Sequence, residues 1–250
     1  MERKKNTALK YRILRLLLIL VIFAGTALYI YGEDYYRPSA NAQAAMATGE
    51  GITFTREGKD LVFTPENPLG GVVIYPGGKV SEEAYARLAR EIAREGYKTV
   101  VVSAPLKLPI LRTNAAKRYV EEEGIEDWVI MGHSLGGVTA ARFAKKNPDK
   151  IRVLVLLAAY PDKSTDLGEV SFPVYSLVGT KDQILDQASY EEGLQRLPVE
   201  AKEILIPGGN HSSFANYGLQ DGDALADLSY AEQQQVILDL FPQIFDEIIR

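Results

Sequence analysis

A serine hydroxyl is a poor nucleophile near neutral pH and needs an adjacent base, normally an imidazole oriented by a carboxylate. Ser134, in Gly132-His133-Ser134-Leu135-Gly136, is the candidate nucleophile of this chain. The sequence contains two histidines, His133 and His211. His133 adjoins Ser134, so its side chain should leave the turn in another direction, and His211 remains as the imidazole base. It lies in Pro207-Gly208-Gly209-Asn210-His211, directly after an apolar run. A carboxylate is sought after the preceding run, where Asp182 stands three residues beyond Gly179 and Asp186 is a second choice. Ser134, Asp182 and His211 thus form a nucleophile, acid and base set suited to acyl transfer.

Gly-x-Ser-x-Gly fixes only three of five positions, so its weight depends on the elements around it. Residues 127–132 read as a short buried strand running straight into the motif, and residues 136–146 as a helix ended by Asn147-Pro148. A strand, a sharp turn and a helix would hold the serine in strained geometry, with a β-carbon at Gly132 or Gly136 colliding with its neighbours. The turn also puts Ser134 at a helix N-terminus, where free N–H groups favour developing negative charge.

The other elements alternate. An antiparallel pair is expected over 52–58 and 61–67, then strands over 71–78, 98–106, 151–159, 172–179 and 201–209. Helices are expected from the Ser81 cap to Glu95, over 114–123, after a Ser189/Glu192 capping box, and after a Ser229/Glu232 box at the end. Trp128, Tyr75, Tyr97 and Tyr160 read as core or pocket wall.

The chain of 250 residues, 46% hydrophobic and 24% charged, has ordinary globular composition and room for one large α/β domain with an appendage. No cysteine is present, which excludes disulfides, thiolate metal sites and a cysteine nucleophile. Arg3, Lys4, Lys5, Lys10, Arg12 and Arg15 crowd the first fifteen positions against one acid, so the remainder is more acidic than the net charge of −5 suggests. Such a body repels nucleic acid. Leu16 to Tyr31 is uncharged, extends back through Ile13 and Leu14, and is followed by Glu33 and Asp34. This pattern predicts a transmembrane signal-anchor with a cytoplasmic N-terminus and an extracytoplasmic body. The rival is a signal peptide cleaved within the small-residue stretch 40–47 to release a secreted protein.

The order Ser134, Asp182, His211, together with "YPGGKV", "GHSLGG", "VGTKD" and "GGNHSSFANYG", resembles the α/β-hydrolase superfamily over about residues 51–248, most nearly its small capless fold-5 type. The resemblance implies a mostly parallel eight-stranded sheet flanked by helices. It also implies oxyanion donors from the Leu135 backbone N–H and from the Gly77-Gly78-Lys79 loop, Gly78 first and Lys79 next. That loop follows Pro76-Gly77 where the family commonly has His-Gly. Only nine residues separate "LLAAYP" from "SFPVYS", too few for a helical cap.

The domain plan is a basic cytoplasmic terminus (1–12), an anchor (13–31), a linker (32–50) and a catalytic domain (51–250). The expected activity is hydrolysis of a carboxylic ester or related acyl compound, with no cofactor and no metal. Acyl transfer, thioester or amide cleavage, and a catalytically silent binding protein of the same fold are the alternatives. Lys79 is a candidate contact for an anionic substrate. Asp221, Asp223 and Asp227 fit no calcium loop and read as turn formers.

Overall fold

The computed structural model describes residues 2–244, with side-chain environments from residue 9 onward. The side chains of Arg3, Lys4 and Lys5, and residues 245–250 of the expected catalytic domain, lie outside the described residues. The chain divides into two compact units, one through Tyr35 and one from Tyr36 on.

The first unit is a single helix, α1 (Glu2–Glu33). Its stretch Leu9–Glu33 is long and apolar enough to cross a membrane or to serve as a signal sequence.

The second unit begins earlier than the sequence suggests, because most of the supposed linker is folded into it. Tyr36 N–H donates to the Lys79 carbonyl at 2.7 Å and its own carbonyl accepts from Ser81 N–H at 3.0 Å, a parallel bridge to the segment after the third strand. Ser39 caps helix α2 (Ala40–Ala44), which buries Ala42 completely. Arg90 then collects the carbonyls of Ala47 and Gly49. Small residues that look like a flexible tether are here the means of close packing, since alanine loses little side-chain entropy on ordering.

Eight strands form one sheet in the order β1-β2-β4-β3-β5-β6-β7-β8. They are β1 (Ile52–Glu57), β2 (Asp60–Pro65), β3 (Gly70–Tyr75), β4 (Tyr97–Val101), β5 (Trp128–His133), β6 (Val153–Leu157), β7 (Val174–Gly179) and β8 (Lys202–Ile206). The β1–β2 and β2–β4 pairs are antiparallel and the rest parallel. Side chains alternate across the sheet, so Val72, Ile74, Val129 and Met131 pack on one face and Val73, Tyr75, Trp128 and Ile130 on the other. The first face is covered by α3 (Ala86–Arg94) and the C-terminal helix, the second by the helix after β5.

Two expected helices differ. Residues 109–116 form a kinked 3-10 stretch leading into a one-turn helix, α4 (Lys117–Val120), in place of a helix over 114–123. This segment is held by side chains from the sheet: Tyr75 Oη donates to Thr113 O at 2.6 Å and accepts from Ala116 N–H at 3.1 Å. The helix after β7, α6 (Gln187–Leu194), starts before Ser189, because Asp186 accepts the Ser189 N–H at 2.8 Å and is the cap. Glu192 instead pairs with Lys163 and Arg196. The Ser229/Glu232 box caps α7 (Tyr230–Leu238) as expected. No helix stands in the 158–173 connection between β6 and β7, so the fold has no helical cap there.

Asp60, fully buried, binds the loop after β4. It accepts from Ser103 N–H at 2.8 Å, Tyr119 Oη at 2.9 Å, and the guanidinium groups of Arg112 and Arg118, each at 3.1 Å from Oδ2. Burial alone would raise its pKa, but hydrogen bonds from Arg112, Ser103 and Tyr119 outweigh that and hold the carboxyl below the usual range. A carboxyl whose folded pKa is depressed contributes stability that is present above its unfolded value, about 4, and lost as pH falls through the folded one. Asp60→Asn is therefore expected to be less stable than wild type at pH 7, and the difference to shrink below about pH 4. Urea midpoints measured across that range check it.

Candidate active site

Strand β5 runs into Ser134, and Leu135 opens helix α5 (Leu135–Lys146). Ser134 is held at φ 52°, ψ −123°, a conformation costly for any residue with a side chain. The turn is imposed by packing. A β-carbon at Gly132 would lie 2.3 Å from the Gly136 carbonyl oxygen, and one at Gly136 would lie 2.1 Å from that of Tyr75. Glycine alone lets β5, β3 and α5 approach this closely. Ser134 N–H is bonded to Leu157 O on the neighbouring strand at 2.9 Å, and its carbonyl takes the Gly137 N–H at 2.8 Å. Leu135 N–H, the first of α5, has no carbonyl four residues back to accept it.

Asp182 and His211 stand after the ends of β7 and β8. His211 Nδ1 is 2.8 Å from Asp182 Oδ2, and the two side chains are 2% and 1% exposed. The other carboxylate oxygen accepts the Ile184 and Leu185 N–H groups at 2.9 and 2.8 Å, fixing the carboxyl plane. With Asp182 accepting at Nδ1, the proton of a neutral His211 sits there, and Nε2 presents a lone pair. That Nε2 is buried and has no hydrogen-bond partner among the described residues, Ser134 Oγ included. Asp186, the second choice, is taken up as the α6 cap.

The His133 side chain leaves the turn toward the interior. It is fully buried, its ring centroid 4.7 Å from that of His211 and its Nδ1 2.7 Å from Tyr85 Oη. Burial pushes its pKa well below the usual histidine value, and the neighbouring His211 lowers it further. The tight turn turns this side chain inward beneath the His211 ring.

The loop after β3 is equally constrained. Gly77 N–H donates to Tyr85 Oη and Lys79 N–H to the Lys107 carbonyl, both at 2.8 Å. Gly78 lies between these two engaged amides, and a β-carbon there would touch Leu135 Cδ2 at 3.0 Å. Gly78 therefore adjoins the start of α5, whereas Lys79 spends its N–H on Lys107. Positive φ at Lys79, Leu106, Lys107 and Ser134 concentrates non-glycine backbone strain around this one end of the sheet.

Two braces around His211 carry no sequence signature. Asp223 accepts from Ser212 N–H at 2.9 Å, from Ser212 Oγ at 2.6 Å and from Gln183 N–H at 3.2 Å, joining the residue after His211 to the residue after Asp182. Buried Gln233 exchanges two hydrogen bonds with the backbone of Asn210, which precedes His211. An aspartate in a turn and a glutamine in a helix are too common to single out in one sequence. The nearest hint is Ser212-Ser213, two hydroxyls beside an apolar segment that need acceptors once buried.

A hydrolase-type sheet order, a strained strand-to-helix turn after β5 and a buried aspartate–histidine pair after β7 and β8 define the class: a hydrolase of α/β architecture. Residues 71–235 match the Alpha/beta hydrolase family, and the chain belongs to it. Among solved structures it is similar to a dienelactone hydrolase from Anabaena variabilis (TM-score 0.58, 18% identity, 78% of this chain and 99% of that one). It is similar also to a dienelactone hydrolase-like promiscuous phosphotriesterase from metagenomic libraries (TM-score 0.57, 17% identity, 77% and 97%). A third likeness is to the thioesterase domain of a curacin biosynthetic pathway (TM-score 0.54, 13% identity, 76% and 100%). A comparison with curated proteins finds no sequence match.

Proposed function

We propose that the chain is a serine hydrolase of carboxylic esters or related acyl compounds, anchored in a membrane by its N-terminal helix. The observation that carries this reading is the buried Asp182–His211 pair beside a Ser134 held in strained backbone geometry. In this reading Ser134 Oγ attacks the acyl carbon while His211 Nε2 takes its proton. The tetrahedral oxygen receives the Gly78 and Leu135 N–H groups, each such donor being worth about 3–4 kcal/mol of barrier in comparable enzymes. His211 then gives the proton to the leaving group, and water, activated by the same nitrogen, releases the acyl-enzyme. Asp182 keeps Nδ1 protonated and stabilises the imidazolium.

The similar structures named above include a dienelactone hydrolase, a phosphotriesterase and a thioesterase domain, so the fold leaves the acyl group to be decided by assay. The connection between β6 and β7 leaves the site without a helical cap, which favours small or surface-presented substrates. A fluorophosphonate probe tests the reading: wild-type protein is expected to be labelled at Ser134, and Ser134→Ala to remain unlabelled. Labelling that is absent, or unchanged in Ser134→Ala, overturns it.

For the membrane attachment, six basic residues before the apolar stretch and two acids after it favour a cytoplasmic N-terminus and an outward catalytic domain. Retention of the helix is favoured because the candidate cleavage stretch 40–47 belongs to the folded catalytic unit, with Ala42 buried and Tyr36 bridged to the loop after β3. Accordingly, a chain beginning at residue 34 is expected to react with the probe as fast as full-length protein. One beginning at residue 51 is expected to react about tenfold to a hundredfold more slowly, since small misplacements in a site cost that much.

A further inference from the structure

We propose that Tyr85, held by His133, is a positioning residue for the oxyanion loop: its hydroxyl pins the Gly77 amide so that the neighbouring Gly78 N–H keeps its aim. The inference rests on the hydrolase reading of the site and goes beyond it by naming what holds one of its donors.

Gly77 and Gly78 form a diglycine with wide backbone freedom, so the aim of the Gly78 N–H must come from its flanks. On one side Lys79 N–H is fixed by the Lys107 carbonyl at 2.8 Å. On the other, Gly77 N–H is fixed by Tyr85 Oη at 2.8 Å, and that oxygen lies 2.7 Å from His133 Nδ1. A phenol has one proton. In the proposed brace Tyr85 Oη accepts from Gly77 N–H and gives its own proton to His133 Nδ1, with the proton of the neutral imidazole on Nε2. Burial keeps both groups uncharged, since His133 and Tyr85 are both completely enclosed. The chain of contacts runs from the loop after β3, through one hydroxyl, to the residue preceding Ser134. It therefore locks the two halves of the site, nucleophile turn and oxyanion loop, to each other. A β-carbon at Gly77 would sit 3.1 Å from His133 Nδ1 and 3.3 Å from Tyr85 Oη, so glycine at 77 preserves this tight arrangement.

The test follows the rate of fluorophosphonate labelling, in which the Ser134 Oγ–P bond forms, fluoride leaves and the serine proton passes to His211. Tyr85→Phe keeps the ring and deletes the hydroxyl. It is expected to lower the maximal labelling rate about tenfold to a hundredfold with the probe's half-saturating concentration changed less than about twofold. His133→Leu should match it, and His133→Asn, whose Oδ1 can accept where Nδ1 did, should recover most of the rate. The Tyr85→Phe/His133→Leu double variant should be no slower than either single one, because both break the same link.

A Tyr85→Phe rate within about threefold of wild type, a loss confined to probe affinity, or His133→Asn as slow as His133→Leu overturns the brace while leaving the hydrolase reading intact. Failure of the wild-type protein to label at all overturns the hydrolase reading beneath it. If Tyr85→Phe does not fold, the His133→Asn and His133→Leu pair decides.

Discussion

Asp182→Asn is expected to retain its fold and to lose about four orders of magnitude in maximal turnover, with little change in apparent substrate affinity. The carboxylate accepts on both sides: two backbone N–H groups at Oδ1 and the His211 Nδ1–H at Oδ2. An asparagine must keep its carbonyl toward Ile184 and Leu185, because its NH2 cannot accept. The amide nitrogen then faces His211, and a donor opposite Nδ1 drives the imidazole proton to Nε2. That is the nitrogen required to receive the Ser134 proton. Oxyanion donors are untouched, so residual rate over water should survive. Turnover of short chromogenic esters, with fluorophosphonate labelling as a second measure, checks the result; a loss under tenfold would remove Asp182 from the set.

The largest effect on stability is expected from Gly136→Ala. The added methyl would be placed 2.1 and 2.2 Å from the carbonyl oxygens of Tyr75 and Pro76, both backbone atoms of the central strand β3 and its exit. Neither can turn aside as a flexible side chain would, so α5 must move away from the sheet. A destabilisation of about 4 kcal/mol or more follows, which is a large part of the 5–15 kcal/mol that holds an ordinary domain together. Gly168→Ala is the control, since its methyl would meet only the movable Asp166 carboxylate at 3.2 Å. Urea denaturation of the two variants should separate them clearly.

Both expectations draw on features that differ in how far they can be read from the chain. The strand, turn and helix around Ser134 are local: apolar run, small residues and Asn147-Pro148 stop lie within about twenty consecutive residues, and their geometry follows from steric rules. The same holds for the Ser229/Glu232 cap and for the opening hairpin. The identity of His211 followed from scarcity, because the only other imidazole adjoins Ser134. Local patterns misled where a distant side chain intervened. Asp186 displaced Ser189 as a cap by offering a charged acceptor three residues earlier. Tyr75 and Asp60 held the 103–118 segment in short 3-10 turns where its own sequence allowed a longer helix.

The sequence by itself determined the alternating architecture, the strained turn at Ser134, the chain order of the candidate residues and the apolar N-terminal helix, since each depends on neighbours a few positions apart. Only the tertiary structure decided that the Lys79 N–H is spent on the Lys107 carbonyl, that residues from Tyr36 belong to the same compact unit as the sheet, and that His133 lies between Tyr85 and His211. The physical reason is common to all three. A hydrogen bond across the fold commits a donor to one acceptor, and that choice depends on which loops the sheet order brings together, information that no stretch of twenty residues contains.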